Sequence, residues 1–251
     1  ADVQRRIRPS TALVSVIFGN NEIGTVNSIP EIGLICRERE VLFHTDAVQA
    51  AAHLRMDIQA LHVDLFAIGA HKFYGPKGVG ALFIRKGVRL VPAQTGGGHE
   101  SGLRAGTQNV PYIVGMAKAL ELAQLETQAR SSKTQPLRDR IIGTVLEEIP
   151  NARLTGHSDR RLSNHASFVL QGVNGNTLLM MLDSAGFACS SGSACKTGNP
   201  EPSEVLTAMG LTRDWALGSL RVTLGHQTQP GEVDQFLQVL PRIVDRVRQL
   251  S

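Results

Sequence analysis

Lys72 lies between an apolar run, Leu65-Phe66-Ala67-Ile68, and a turn rich in glycine and proline, Tyr74-Gly75-Pro76-Lys77-Gly78-Val79-Gly80. The run has the composition of a buried strand, and the glycines let backbone approach a ligand closely. An ε-amine desolvated at such a strand end can meet a carbonyl and form a Schiff base, the anchoring chemistry of pyridoxal phosphate. Taken alone, the segment reads more simply as a strand-end lysine beside a surface turn. Asp46 stands 26 positions earlier, in His44-Thr45-Asp46-Ala47-Val48-Gln49. A carboxylate there could keep a pyridine nitrogen protonated, or it could cap a short helix. Arg221 interrupts the apolar run Ser219–Leu224. A guanidinium in a strand is costly unless it meets an anion, and it can grip a carboxylate with two parallel hydrogen bonds. A structural ion pair fits Arg221 equally well. Cys195, within Ser190-Ser191-Gly192-Ser193-Ala194-Cys195-Lys196-Thr197-Gly198, is surrounded by small residues and followed by a lysine that favours a thiolate. By itself it is also an ordinary loop thiol.

These residues need a frame. Thr11–Phe18, Val41–His44, Asp64–Ile68 and Ala81–Ile84 read as short strands, and Pro30–Glu40 has helical spacing with a proline suited to a first turn. Alternating strands and helices suggest an α/β unit with a mostly parallel sheet, whose ligands collect at the carboxyl ends of the strands. Asn21, Asp46 and Lys72 each come just after a predicted strand, so one sheet end could hold all three. A Gly-rich loop from Gly96 to Thr107 precedes a long helix predicted from Pro111 to about Arg130. The Ser/Lys/Thr/Gln/Pro cluster Ser131–Pro136 reads as a domain boundary. Beyond it the pattern predicts helices at about Leu137–Ile149, Asn176–Ala185, Ser203–Met209 and Glu232–Leu250. It predicts strands at Ala166–Leu170, Phe187–Cys189 and Ser219–Leu224. The charged opening Arg5-Arg6-Ile7-Arg8 is expected to lead straight into the first strand.

The 251 residues are 42% hydrophobic, enough for one large or two modest cores. The net charge of +4 is spread along the chain, and aromatics make up only 4%, so no basic-aromatic stripe reads nucleic acid. No stretch reads as a membrane-spanning helix. Three cysteines, Cys36, Cys189 and Cys195, do not make a disulfide scaffold or a zinc site and fit a reducing, cytoplasmic compartment. Cys189 ends an apolar run and Cys36 lies on a helix face, so both read as packing residues.

Together these separated motifs resemble the cysteine desulfurases of the NifS-like group, pyridoxal-phosphate enzymes of the aspartate-aminotransferase fold type I. The resemblance runs from Val14-Ser15-Val16 to the last helix. It implies that residues 1–130 are the C-terminal portion of the large cofactor-binding domain. Residues 131–251 would be a smaller α+β domain bearing the cysteine loop. It implies that Lys72 is the Schiff-base lysine, with Asp46 on the pyridine nitrogen, Gln49 on the phenolic oxygen and His71 on the phosphate. Thr107 would reach the phosphate of the other subunit's cofactor, which implies a homodimer. Asn21 would stand near the cofactor ring and the substrate carboxylate, and Arg221 on that carboxylate. Without the resemblance, Asn21, His71 and Thr107 read as a turn asparagine, a strand-end histidine and a loop threonine.

The implied reaction converts L-cysteine to L-alanine and leaves a persulfide on Cys195, for transfer to an acceptor such as an iron–sulfur scaffold. Two other readings stand beside it. One keeps the fold and makes the protein a selenocysteine lyase or another β-lyase. The other makes it a catalytically incomplete piece that serves in dimerisation and partner docking. Two departures from the family are visible. Gly69 stands where the family has a serine that donates to the phosphate. The phosphate-cradling Gly-Thr turn and the ring-stacking histidine have no counterpart here, so the family's N-terminal third is expected to be absent.

Overall fold

Short runs of Val, Ile, Leu and Phe, each too short for a helix, form a four-stranded sheet of order β1-β2-β3-β4. Its strands are β1 (Leu13–Ile17), β2 (Leu42–Asp46), β3 (Leu65–Gly69) and β4 (Gly80–Ile84). The first three are parallel and β4 runs antiparallel to β3. The register sets Ile17 opposite Asp46 and Asp46 opposite Ala67, so the carboxyl ends of all three parallel strands lie at one edge. The computed structural model describes residues 2–192 and 201–250. Its contacts divide the chain into two units, Ala1–Gly19 with Asn27–Thr127, and Asn20–Val26 with Gln128–Ser251.

In the first unit, a helical turn α1 (Asp2–Arg6) stands where the charged opening was expected to run directly into a strand. Helix α2 (Ile29–Glu38) begins with Pro30 and buries Ile29, Gly33 and Cys36 as it packs on β2. Short α3 (Ile58–Leu61) is capped by Asp57, whose carboxylate accepts from the amides of Gln59 and Ala60. Helix α4 (Val110–Leu125) packs on two 3-10 turns, Ala50–Ala52 and Ala70–Lys72, located after β2 and β3. Ala51, Ala52, Ala70, Phe73 and Ala123 form the small core between them. Gln124 locks this arrangement: its Oε1 accepts from the Met56 amide at 2.9 Å, and its Nε2 donates to the Ala51 and Leu54 carbonyls at 2.9 and 3.0 Å.

The second unit is an antiparallel sheet of β5 (Ala152–Leu154), β6 (His165–Leu170) and β7 (Ser219–Thr223), with β6 in the centre. Alternate residues of β6 point to opposite faces. Ala166, Phe168 and Leu170 join the core built with α5 (Thr127–Glu148), α6 (Gly175–Ser184) and the amphipathic α9 (Pro230–Leu250). The other face carries His165, Ser167 and Val169. It is covered by residues 20–26 and by α7 (Glu204–Ala208) and α8 (Arg213–Leu217), with Ile23, Val169, Leu206 and Ala216 at its apolar centre. All six β6 residues are buried, two-sided burial that accounts for the near-continuous apolar run of the strand.

The Ser131–Pro136 cluster, read as a domain boundary, does not interrupt the chain: α5 runs through it with Pro136 inside the helix, and the division between the two units falls just before it, after Thr127. Thr134, Leu137, Arg138, Ile141 and Val145 are buried along one side, and this anchorage outweighs the hydrogen bond lost at proline. Phe187–Cys189, expected as a strand, is not one: among the described residues directly after α6 the pairing is an isolated bridge, in which Ser190 and Arg221 exchange backbone hydrogen bonds. β5 and α8 had no counterpart in the sequence pattern, each being a turn or so long.

Gly218, between α8 and β7, sits where a Cβ would lie 2.0 Å from the Leu170 carbonyl oxygen. That oxygen is backbone and cannot swing away. Gly218→Ala is therefore expected to lower stability by about 2 kcal/mol, read as a lower urea midpoint with an unchanged slope.

Candidate active site

In the first unit the candidate residues gather at the carboxyl end of the parallel strands. Asp46 is the last residue of β2, half-buried, and its Oδ1 accepts from the Val48 amide at 2.9 Å. This turn aims the chain so that Gln49 opens the 3-10 turn Ala50–Ala52. One strand over, Gly69 ends β3 and leads into the 3-10 turn containing His71 and Lys72, both exposed. The turn is held because Phe73, 1% exposed, plugs the core beneath it, and because the Ala70 amide donates to the Val79 carbonyl at 3.1 Å. Gly69 marks where the two strand ends meet. A Cβ built there would touch His71 Cε1 and Val48 Cγ1, both at 3.6 Å. The Asp46–Gln49 turn and the His71–Lys72 turn thus border one point. Those contacts are of ordinary length and the backbone is extended, so a Cβ fits at this position without displacing a neighbour.

The chemistry of this donor set suits pyridoxal phosphate. Asp46 Oδ2, the Gln49 amide, the His71 ring and the Lys72 amine make no hydrogen bond or ion pair with other described residues. An acid, an amide, an imidazole and an amine at one sheet end match a pyridine nitrogen, a phenolic oxygen, a phosphate and an aldehyde. Thr107 is exposed on the segment between β4 and α4, and its hydroxyl has no hydrogen-bond partner among the described residues.

In the second unit, Arg221 on β7 stands opposite Ser167 of β6. Its Nη1 donates to the carbonyls of Asn21 and Gly192, each at 2.9 Å. Asn21 and Arg221 are therefore brought together through the Asn21 main chain. The same carbonyl meets Nε2 of His165 at 3.2 Å. A carbonyl oxygen only accepts, so the His165 ring carries its proton on Nε2. Its Nδ1 is buried without a partner among the described residues and faces Gly24. Gly24 has φ +73°, and a Cβ there would lie 2.6 Å from Nδ1. Burial, with the Arg221 and Arg161 charges acting in the same direction, pulls the His165 pKa down to about 4.

The neighbouring Arg161, 6% exposed, donates from Nη2 to the Ile23 and Thr155 carbonyls at 2.9 and 2.6 Å. Burial, with the Arg138 charge acting alongside it, draws its pKa down to about 10. Glu22 accepts from the Ser203 hydroxyl, which also caps α7. The cavity between Glu22, Thr155, Ser167, Ser219 and Arg221 measures about 10 Å³, room for one water and far too small for an amino acid. His165, Arg161 and Glu22 were not singled out from sequence. The one available signal was the break in the β6 run, His165 and Ser167 alternating with Ala166 and Phe168 on a strand with no exposed face.

Cys195 lies outside the described residues; Gly192, held by Arg221, is three positions before it. Cys189 is half-buried, and burial pushes its thiol up to about 11. Cys36 is fully buried, and its pKa is also raised, by burial and then by the Asp64 charge. Neither presents a thiolate at neutral pH.

A mixed sheet with an acid–amide–imidazole–lysine set at its carboxyl end defines a pyridoxal-phosphate type I architecture. The aminotransferase class-V family model matches residues 1–236, and the chain belongs to that family. It is 45% identical over 250 residues to a cysteine desulfurase IscS of Methanosarcina thermophila. The match takes in 100% of this chain and 62% of that protein, so the chain spans under two thirds of the relative's length. Among solved structures, a NifS-like protein superposes with a TM-score of 0.88 at 34% identity, covering 98% of this chain and 64% of that one. A structure described as SspA in complex with cysteine gives a TM-score of 0.71 at 34% identity, covering 89% and 61%.

The protonation states have two measurable consequences. The folded pKa of His165, about 4, lies below the ordinary value of 6.5, so the fold favours the neutral ring. Its contribution to stability is complete above pH 6.5 and is lost as pH falls towards 4, where the folded protein also takes up the proton. Urea midpoints of the parent should therefore drop more steeply across pH 6.5 to 4 than those of His165→Gln. Secondly, iodoacetamide at neutral pH should leave Cys36 and Cys189 unmodified until denaturant is added, as peptide mass mapping would show.

Proposed function

We propose that this chain carries the catalytic residues of a cysteine desulfurase that takes sulfur from L-cysteine and yields L-alanine. The observation that carries the reading is the convergence of Asp46, Gln49, His71 and Lys72 on the end of one parallel sheet. The names of the similar proteins support it, as does the cysteine complex of one structural neighbour. On this reading the first unit is the C-terminal part of a cofactor-binding domain and the second is the small domain.

Pyridoxal phosphate, when bound, would supply an electron sink for a carbanion at the substrate Cα. Lys72 would hold its aldehyde carbon and then, as a free amine, move the proton at Cα. Asp46 would keep the pyridine nitrogen protonated, Gln49 would donate to the phenolic oxygen and His71 would bind the phosphate. Arg221 would receive the substrate carboxylate, with Asn21 beside it. The Cys195 thiolate would attack the substrate sulfur. A sulfur–sulfur bond forms, the Cβ–sulfur bond breaks, and its electron pair ends as a C–H bond of alanine. The products are alanine and a persulfide on Cys195, which an acceptor such as an iron–sulfur scaffold would take. Thr107, exposed on its loop, is the residue that would serve a second subunit in a homodimer. The low cysteine content fits a cytoplasmic setting.

Two variants test the reading. Reconstituted with the cofactor, the parent should absorb at about 420 nm, form alanine from cysteine and, with an added thiol reductant to cleave the Cys195 persulfide, release sulfide. Lys72→Ala should lose both the band and the activity. Cys195→Ala should keep the band but release no sulfide. Retention of the band in Lys72→Ala, or parental sulfide release by Cys195→Ala, would sink the assignment of that residue.

A further inference from the structure

The second face of β6 is the least expected part of the second unit. It is fully buried, yet two of its three side chains, His165 and Ser167, are polar. Ser167 spends its hydroxyl locally, 2.6 Å from the Thr155 hydroxyl. His165 instead reaches across 144 residues of sequence to the Asn21 carbonyl, which also accepts from Arg221. His165 and Arg221 sit on one face of adjacent strands in diagonal register, since His165 pairs with Thr223 and Ser167 with Arg221. The imidazole occupies the room that glycine leaves at position 24, where a Cβ would lie 2.6 Å from its Nδ1.

We propose that His165 is a positioning residue for the carboxylate-binding pair: its Nε2–H and the Arg221 guanidinium share one acceptor, and this shared carbonyl sets where Asn21 stands against Arg221. The role in substrate binding rests on the desulfurase reading; the positioning itself does not. The rest of the segment is tied down independently. Arg161 holds the Ile23 carbonyl, the Leu162 amide donates to the Gly24 carbonyl, and the Val26 amide donates to the Arg160 carbonyl. Loss of the imidazole donor therefore leaves the Asn21 carbonyl on Arg221 alone and loosens that peptide without releasing the segment. This separates the proposal from a purely structural role, in which His165 fills space and any substitution costs stability alone.

The experiment compares the cofactor-loaded parent with His165→Phe, which keeps a ring but has no donor, and His165→Gln, whose amide nitrogen can stand in for Nε2. Steady-state kinetics on L-cysteine are read together with amide hydrogen exchange of the peptide spanning residues 20–26. His165→Phe is expected to raise KM about fivefold, the effect of one net hydrogen bond, with a smaller change in kcat and faster exchange at residues 21–24. His165→Gln should return both towards the parent. Parental KM and unchanged exchange in His165→Phe overturn the proposal. So does a loss shared equally by both variants, since the Gln donor would then have restored nothing. A parent that does not turn over cysteine defeats the desulfurase reading, and exchange alone then decides the positioning. Faster exchange in His165→Phe with recovery in His165→Gln supports it, and no difference overturns it.

Discussion

The carbonyl oxygen of Asn21 takes one hydrogen bond from the His165 imidazole and one from the Arg221 guanidinium, inside the second unit. Buried bases need acceptors, because a guanidinium stripped of water without them costs several kcal/mol. The second face of β6 and β7 offers few side-chain acceptors, so the main chain of residues 20–26 supplies them: Asn21 to His165 and Arg221, Ile23 to Arg161. This explains why a segment directly after β1 belongs to the second unit. It also explains why Gly24, with its left-handed backbone, packs against an imidazole with no room for a Cβ. Arg221 extends the same logic towards Gly192, where the chain turns to the cysteine-bearing stretch. One guanidinium thereby orders two pieces of chain distant in sequence.

The first unit uses a different device. Parallel strands end together, and β2 and β3 each pass into a tight turn with its own internal hydrogen bond. Gln124, reaching from α4 to three backbone groups around Ala51–Met56, keeps the turn after β2 from drifting. Phe73 does the same below the lysine turn by filling the core. The reactive groups themselves are left half-buried or exposed, with their polar atoms available to a ligand. Gly69 stands out in this setting. Space and backbone angles admit a Cβ there, so neither backbone strain nor a Cβ clash demands the glycine.

Much of this was legible in the residues alone. The strands that end at Asp46 and lead to Lys72 are short apolar runs with clear punctuation, and their alternation with helices points to a mostly parallel sheet with ligand groups at one end; Arg221 lies in a similar run of the other sheet. Where the pattern failed, the cause was physical. Pro136 and its polar neighbours read as a break in the helix, yet a buried side at Thr134, Leu137 and Arg138 carries α5 through them. Phe187–Cys189 has strand composition, but only Ser190 finds a pairing partner. His165 was passed over because one histidine in an apolar strand resembles a packed core residue.

Sequence by itself determined which atoms could do chemistry and in what order they come: the lysine after β3, the acid at the end of β2, the arginine within β7 and the cysteine on its small-residue loop. Those are consequences of residue type and near-neighbour periodicity, which need no knowledge of distant partners. Only the tertiary structure decided that Arg221 grips main chain, that His165 shares its acceptor, and that Asn20–Val26 joins the second unit. These contacts link residues 144 and 200 positions apart. They arise from the need to satisfy every buried donor at once, a condition set by the whole packed unit and written in no single stretch of chain.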